Sequence, residues 1–153
     1  MPEEAPSARV QAPQIVLAFD LGMRRIGVAC GDTVSRSASY ARTLTCGSQG
    51  VPWQELDSLL REWRPAVLVV GLPYNVDDSE SAAAARARRF AGALAARYAL
   101  AVELVDERYS SMEALDRLRQ ARASGLRKRR LAKSEVDAGA ARVILERWFS
   151  QTA

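Results

Sequence analysis

The spacing between the strand-like segments of this chain changes from short turns to whole helices partway along. Residues 14–20 and 25–31 are apolar runs only a few residues apart, and residues 35–45 have the rough alternation of a third strand. Two later apolar runs, AVLVVGLP and AVELVDE, are separated by a segment with helical periodicity. Strands joined by short turns are antiparallel, whereas strands joined through a helix are parallel. This order predicts an α/β fold with a mixed five-stranded sheet, three antiparallel strands and then parallel strands, flanked by helices.

Four helices are predicted around this sheet. They are VPWQELDSLLREWRP, a segment from about Ser79 to Tyr98 with Asp77, Asp78 and Ser79 as candidate caps, SSMEALDRLRQARA with a Ser110-x-x-Glu113 capping box, and SEVDAGAARVILERWF. Residues 14–150 are expected to form one domain, and residues 1–13, which are rich in Pro and Ala, a flexible N-terminal tail.

Composition points to a soluble cytoplasmic protein with no membrane association. No apolar run approaches the roughly 20 residues that would cross a bilayer, and the N-terminus lacks the apolar segment of a signal peptide. Cys30 and Cys46 are the only cysteines, too few for a disulfide framework, so a reducing compartment is expected.

The chain contains no histidine. This excludes Ser-His-Asp and Cys-His nucleophilic systems, histidine-ligated zinc and the commonest general base. Any catalysis must therefore use carboxylates, other side chains or a hard metal ion.

Acidic residues follow the predicted strands and open the last helix. Asp20 ends the first strand, Asp106 and Glu107 end the last strand, and Asp137 lies near the start of the last helix. Carboxylates that converge repel one another unless a cation lies between them. An all-oxygen site suits Mg²⁺ or Mn²⁺, and two such ions about 4 Å apart would support phosphodiester hydrolysis without a side-chain base.

Each acid also has a structural interpretation. Asp20 could bond the amides of the following turn, and Ser134-x-x-Asp137 is itself a capping-box pattern. Successive strand residues point to opposite faces, so only one of Asp106 and Glu107 should reach Asp20, and periodicity leaves open which one does.

Positive charge is clustered. Eight basic residues and no acidic ones lie between Arg117 and Lys133, and arginines also follow Asp20 and lie on the helix after GLPYNVDD. Such clusters attract a polyanion, and nucleic acid is the expected partner. The candidate nucleic-acid-binding residues from these clusters are Arg24, Arg25, Arg86, Arg89, Arg127, Lys128, Arg129, Arg130 and Lys133.

Four segments, AFDLGMRRIGVACGD, VVGLPYNVDD, VDERYSS and KSEVDAGAARVIL, resemble in order the signature segments of the YqgF (RuvX) family. The resemblance runs from about Ile15 to Phe149 and implies a ribonuclease-H-like fold. It also implies that Asp20, Glu107 and Asp137 are the catalytic and metal-binding acids, and it adds Arg108 to the nucleic-acid-binding positions. Met23 departs from the family pattern, since a small hydroxyl residue is common there.

The family resemblance implies a divalent-metal-dependent nuclease, with maturation of the 16S rRNA 5′ end as the expected process. Cleavage of branched DNA such as a Holliday junction, for which a homodimer would be needed, stays open as an alternative. A non-catalytic nucleic-acid-binding module is the other alternative. Sugar kinases and Hsp70-like ATPases also begin with a strand and Asp-x-Gly, but they need two such domains around a nucleotide.

Overall fold

A computed structural model of the chain describes residues 13–73, 81–106 and 133–152, and for 133–138 the backbone alone. The elements, in chain order, are β1 (Ile15–Leu21), β2 (Arg25–Asp32), β3 (Ala38–Thr45), α1 (Trp53–Trp63), β4 (Val67–Leu72), α2 (Ala82–Tyr98), β5 (Ala101–Asp106) and α3 (Lys133–Gln151). The five strands form one sheet in the order β3-β2-β1-β4-β5. Both β1–β2 and β2–β3 are antiparallel, and both β1–β4 and β4–β5 are parallel. The predicted mixed sheet is confirmed.

The sheet has a separate hydrophobic core on each face. On one face, here called the α1/α2 face, Leu17 and Phe19 of β1 pack with the apolar sides of α1 and α2. On the opposite face, here called the α3 face, Val16 and Ala18 of β1 pack with α3. Strand β1 is therefore covered on both sides, which explains why its sequence is continuously apolar rather than alternating.

Two predicted boundaries are wrong. Strand β3 begins at Ala38 and not at residue 35, because a turn organised by Asp32 precedes it: the Asp32 Oδ1 atom accepts hydrogen bonds from the amides of Val34 and Ser35. Helix α2 begins at Ala82 and not at about Ser79. The hydroxyl of Ser81 accepts a hydrogen bond from the amide of Ala84 at 3.1 Å, so Ser81 is the N-cap in place of the predicted candidates.

Helix α3 includes Lys133, so Ser134 lies within the helix and not at its N-cap. Asp137 is the fifth residue of α3, two residues further into the helix than a Ser134 capping box would place it. The predicted helix over 110–123 and almost all of the predicted tail lie outside the described residues. Within the described ranges, no helix is long and apolar enough to cross a membrane.

A polar cluster joins α1 to α2. The carboxylate of Asp57 accepts hydrogen bonds from Arg97 Nε at 2.9 Å, from Arg97 Nη2 at 2.8 Å and from the Tyr98 hydroxyl at 2.6 Å. The Arg97 guanidinium also lies 5.1 Å from the ring centroid of Trp53. These contacts hold the pKa of Asp57 well below its ordinary value, chiefly through the hydrogen bonds from Arg97.

The same cluster predicts a stability change at high pH. Burial, and then the hydrogen bond to Asp57, raise the pKa of Tyr98 to about 12 from an ordinary value of 10.0. A raised pKa in the folded state stabilises the fold below the unfolded pKa, and this contribution is lost as the pH rises from about 10 to about 12. Over this pH range we expect the free energy of unfolding of the wild type to fall by about 1 kcal/mol more than that of Tyr98→Phe, which has no hydroxyl to ionise. The figure is discounted because Tyr98 is partly exposed to solvent. Urea unfolding at successive pH values measures it, and parallel stability curves for the two proteins would contradict it.

Candidate active site at the end of strand β1

Asp20 lies on the α3 face at the carboxyl end of β1. Val16 and Ala18, its neighbours in the strand alternation, pack under α3, whereas Leu17 and Phe19 face α1 and α2. Alternation therefore assigns Asp20 to the α3 face, just beyond the buried core. Its side chain is half-buried, while the four residues before it are fully buried. A carboxylate here is held by a rigid strand and can still reach a ligand.

Glycines flank Asp20 on the sheet. Gly27 of β2 is its partner in the antiparallel register. On the other side, Phe19 pairs with Val70 of the parallel strand β4. The next residue of β4 is Gly71, which therefore lies beside Asp20. Neither glycine carries a side chain, so neither neighbouring strand places a side chain beside Asp20 on the α3 face. Both glycines are themselves buried.

The turn after Asp20 is fixed by backbone contacts. The amide of Gly22 donates to the carbonyl of Arg25 at 2.8 Å, and the amide of Cys46 donates to the carbonyl of Arg24 at 2.7 Å. A Cβ atom at Gly22 would lie 2.9 Å from the Arg25 carbonyl oxygen, so the closed turn requires glycine at this position. Arg24 is exposed at the turn. Arg25 shares the α3 face with Asp20, because it is two residues before Gly27 on β2.

Helix α2 contributes a further contact to this turn. The Arg86 guanidinium donates to the carbonyl of Gly22 at 2.8 Å and lies 3.5 Å from the sulfur of Met23. Arg89, one turn further along α2, is exposed and lines the same surface as the turn. The structure thus brings Asp20, Arg24, Arg25, Arg86 and Arg89 to one end of the sheet. Sequence reasoning missed that Arg86 supports the turn, because this contact joins residues far apart in the chain.

The other predicted acids are placed only in part. Residue 137 is one helical turn before Ala141, which packs on the sheet, so it occupies the same helical stripe as Ala141, Ile144 and Trp148. The side chains of Asp137 and Lys133 are not described, and the remaining predicted positions, Glu107, Arg108, Arg127, Lys128, Arg129 and Arg130, lie outside the described residues. Among the described side chains, no three potential metal ligands lie together.

Two contacts between distant residues, which sequence patterns do not predict, hold α3 to strand β5. The Trp148 indole N–H donates to Glu103 Oε1 at 2.7 Å. The Arg147 guanidinium donates to the backbone carbonyl of Asp106, also at 2.7 Å. They fix the end of β5 directly before position 107. They also show which residues of β5 face α3, since Glu103 bonds α3 and Val105 packs in its core.

A family model described as "RuvX: Holliday junction resolvase" matches residues 14–151, nearly the whole chain. The chain belongs to the RuvX family. The resemblance carried by the four sequence segments is therefore confirmed.

Curated proteins related to this RuvX family member span almost its full length. A protein of Xanthomonas campestris pv. campestris (strain B100) is 46% identical over 150 residues, which cover 98% of this chain and 94% of the relative. A protein of Nitrosococcus oceani is 44% identical over 149 residues, covering 97% of this chain and 93% of the relative. Both carry the name "Putative pre-16S rRNA nuclease".

The fold of this RuvX family member is also similar to a solved resolvase structure. T. thermophilus RuvC in complex with Holliday junction substrate matches with a TM-score of 0.53 at 16% identity, covering 90% of this chain and 94% of that chain. At this identity the similarity concerns the fold alone. It agrees with the predicted ribonuclease-H-like architecture, with the first strand at the centre of the sheet.

Proposed function

We propose that this protein is a divalent-metal-dependent nuclease that hydrolyses phosphodiester bonds of nucleic acid, with the 5′ end of the 16S rRNA precursor as its substrate. The observation that carries the proposal is the position of Asp20: a half-buried carboxylate at the end of a buried strand, paired with Gly27 of β2 and followed by an arginine-bearing turn. The names of the full-length relatives support the choice of substrate.

Glu107 and Asp137 complete the acidic set in this proposal. Glu103 and Val105 of β5 face α3, and in this proposal the same alternation holds at position 107, which would put Glu107 on the α3 face and Asp106 on the opposite one. Position 137 is in register with the residues of α3 that pack on that face. The family resemblance implies the same glutamate.

The donor chemistry fits a hard divalent cation. Every proposed ligand is a carboxylate, and the chain has no histidine, so the set favours Mg²⁺ or Mn²⁺ over softer metals. Asp20, Glu107 and Asp137 would hold the metal. When bound, a divalent ion lowers the pKa of its water and stabilises the leaving oxygen of a phosphodiester.

The residues around this set would bind and orient the substrate. The β-ladder on both sides of β1 fixes Asp20, and the closed turn fixes the backbone that carries Arg24 and Arg25. These two arginines would contact phosphates that flank the bond to be cut. Arg108 and the basic positions Arg127, Lys128, Arg129, Arg130 and Lys133 would bind the backbone further away.

Metal removal tests the proposal. We expect the protein to cut a 16S precursor 5′ segment in Mg²⁺ or Mn²⁺, to stop in EDTA, and to resume when excess metal is restored. Binding, measured by anisotropy, should persist in EDTA because the basic surface is unchanged. Cutting in EDTA would contradict the metal requirement. Intact binding without cutting in either metal would instead support the non-catalytic binding module.

Branched DNA is the second candidate substrate, favoured by the description of the family model. Symmetric cutting of a four-way junction needs two active sites, so it requires a homodimer. Parallel cleavage assays on the junction and the 16S precursor, together with analytical ultracentrifugation, separate the two functions. A monomer that cuts only the precursor would exclude the junction. Either substrate is consistent with the cytoplasm, where the free thiols Cys30 and Cys46 would stay reduced.

A further inference from the structure

A groove lies between the β1–β2 turn and helix α2, next to the end of β1. Its volume is about 380 Å³, within the range of small-ligand sites. It is lined by Leu21, Gly22, Met23, Cys46, Gly50, Val51, Trp53, Arg86, Arg89, Phe90 and Ala93. Leu21 directly follows Asp20 in β1, and successive strand residues face opposite sides, so the groove lies at the same end of the sheet as the proposed cleavage site but on the α1/α2 face.

The floor of the groove is apolar and partly aromatic. Phe90 and Ala93 of α2 lie one turn apart, and the Phe90 ring centroid is 6.1 Å from that of Trp53. At the rim, Met23 is 81% exposed at the tip of the turn. An exposed methionine beside two arginines is available to pack against a flat ring brought in by a ligand.

The charged residues of the groove lie on the same stripe of α2. Arg86, Arg89, Phe90 and Ala93 follow the i, i+3, i+4, i+7 spacing of one helix face. The first turn of α2 contains no acidic residue. Arg86 donates to the Gly22 carbonyl, while Arg89 at the rim is exposed. The N-terminal half of α2 therefore presents positive charge beside an apolar floor.

We propose that this groove binds a single unpaired nucleotide of the substrate strand, its base on the apolar floor and its phosphate at Arg89. An apolar slot with a cationic rim suits a nucleotide, which combines a flat ring with an anion. The inference rests on the proposed function for the nature of that strand, and it places the nucleotide on the opposite face of the sheet from Asp20, at the same strand end. It implies that the protein prefers strands with an unpaired residue there over continuous duplex.

Two matched pairs of variants test the groove. Ala93→Phe fills its floor, and Ala96→Phe makes the same change on an exposed position of α2 that does not line it. Arg89→Ala removes the rim charge, and Arg88→Ala removes a neighbouring exposed arginine that does not line the groove. We expect Ala93→Phe to weaken binding of short single strands about tenfold, within the range for losing one base contact. Arg89→Ala should also weaken binding, and the loss should shrink as salt rises, because it removes a phosphate contact. The two controls should change binding less than twofold.

A series of strands, each lacking one base at a different position, tests the contact to the base separately from the contact to the phosphate. At one position, loss of the base should weaken wild-type binding about as much as Ala93→Phe does, and the two changes together should cost no more than either alone. RNA and DNA strands of one sequence show which sugar the groove accepts. Additive losses at every position, or equal losses in the Ala93→Phe and Ala96→Phe proteins, would overturn the proposal.

Cys46 provides a readout in the unmodified protein. Its thiol lines the groove, and burial raises its pKa, although the charge of Arg86 opposes this rise. A bound nucleotide should slow alkylation of Cys46 and leave Cys30, which does not line the groove, unchanged. Equal rates with and without saturating strand would overturn the proposal. All binding is measured in EDTA, so a protein that protects Cys46 but never cuts would refute the nuclease and not the groove.

Discussion

Replacing Asp20 with asparagine is expected to reduce the cleavage rate by roughly a thousandfold and to leave nucleic-acid affinity within about twofold. Asparagine has nearly the same shape but only one acceptor oxygen and no charge, so it is a poor ligand for a hard cation. Losing several kcal/mol of charge stabilisation in the transition state corresponds to a rate loss of about this size. The arginines of the turn and of α2 are unchanged, so binding should persist. Single-turnover cleavage and anisotropy measure the two quantities separately.

Asp32→Asn is the matched control. Asp32 also ends a strand, but at the opposite end of the sheet, where it pairs with Ile15. Its Oδ1 atom accepts hydrogen bonds from two backbone amides, and an asparagine oxygen can accept the same bonds. Cleavage by this variant should match the wild type. A similar loss of activity in both variants, or a lowered melting temperature of Asp20→Asn, would show that the effect arises from folding.

Glu107→Gln is expected to reduce cleavage as strongly as Asp20→Asn does, whereas Asp106→Asn should keep most of the activity. The two acids are adjacent, carry the same charge and differ in the face of the sheet to which alternation assigns them. Glu103 and Val105 both face α3, and the proposal extends the same alternation to position 107, on the side of the sheet that carries Asp20. Comparing the two variants at several Mg²⁺ concentrations distinguishes a lost ligand from a general change in charge.

The reverse result would overturn the assignment. If Asp106→Asn abolished cleavage and Glu107→Gln did not, the strand alternation would have to change at the end of β5, and the acidic set would include Asp106. The Arg147 contact to Asp106 uses the backbone carbonyl, so an asparagine at this position leaves that hydrogen bond in place. Loss of this backbone hydrogen bond would therefore not explain an inactive Asp106→Asn protein.

The sheet could be predicted from sequence because its signals are local. Short spacings between the first strands require antiparallel pairing, and the helices between later strands require parallel crossovers. Asp20 could be selected as a candidate for the same reason, since a charge directly after five apolar residues is unusual in a buried strand. The ends of helices are less strongly determined by local sequence than the strands are. At the start of α2, Ser81 is the N-cap instead of the expected residues because it is the last polar residue before an alanine-rich run.

The choice between Asp106 and Glu107 could not come from periodicity. Alternation states that the two residues face opposite ways, but not which face carries α3. For the described part of β5, that face is identified by the Trp148 contact to Glu103, which joins residues 45 positions apart. The contact between Arg86 and the Gly22 carbonyl joins residues 64 positions apart and could not be predicted from the sequence for the same reason. The clustered arginines predicted a binding surface, but not that one of them would support the turn.

The closed turn after Asp20 has a thermodynamic consequence. Its backbone is bound to β2, to the segment after β3 and to helix α2, so it is already ordered before any ligand arrives. Binding therefore does not have to freeze this backbone, and the entropy lost on association comes mainly from the side chains of Arg24 and Arg25. Phosphate contacts made from such a turn release counterions at little conformational cost. Affinity at this point should consequently depend steeply on salt concentration and only weakly on temperature.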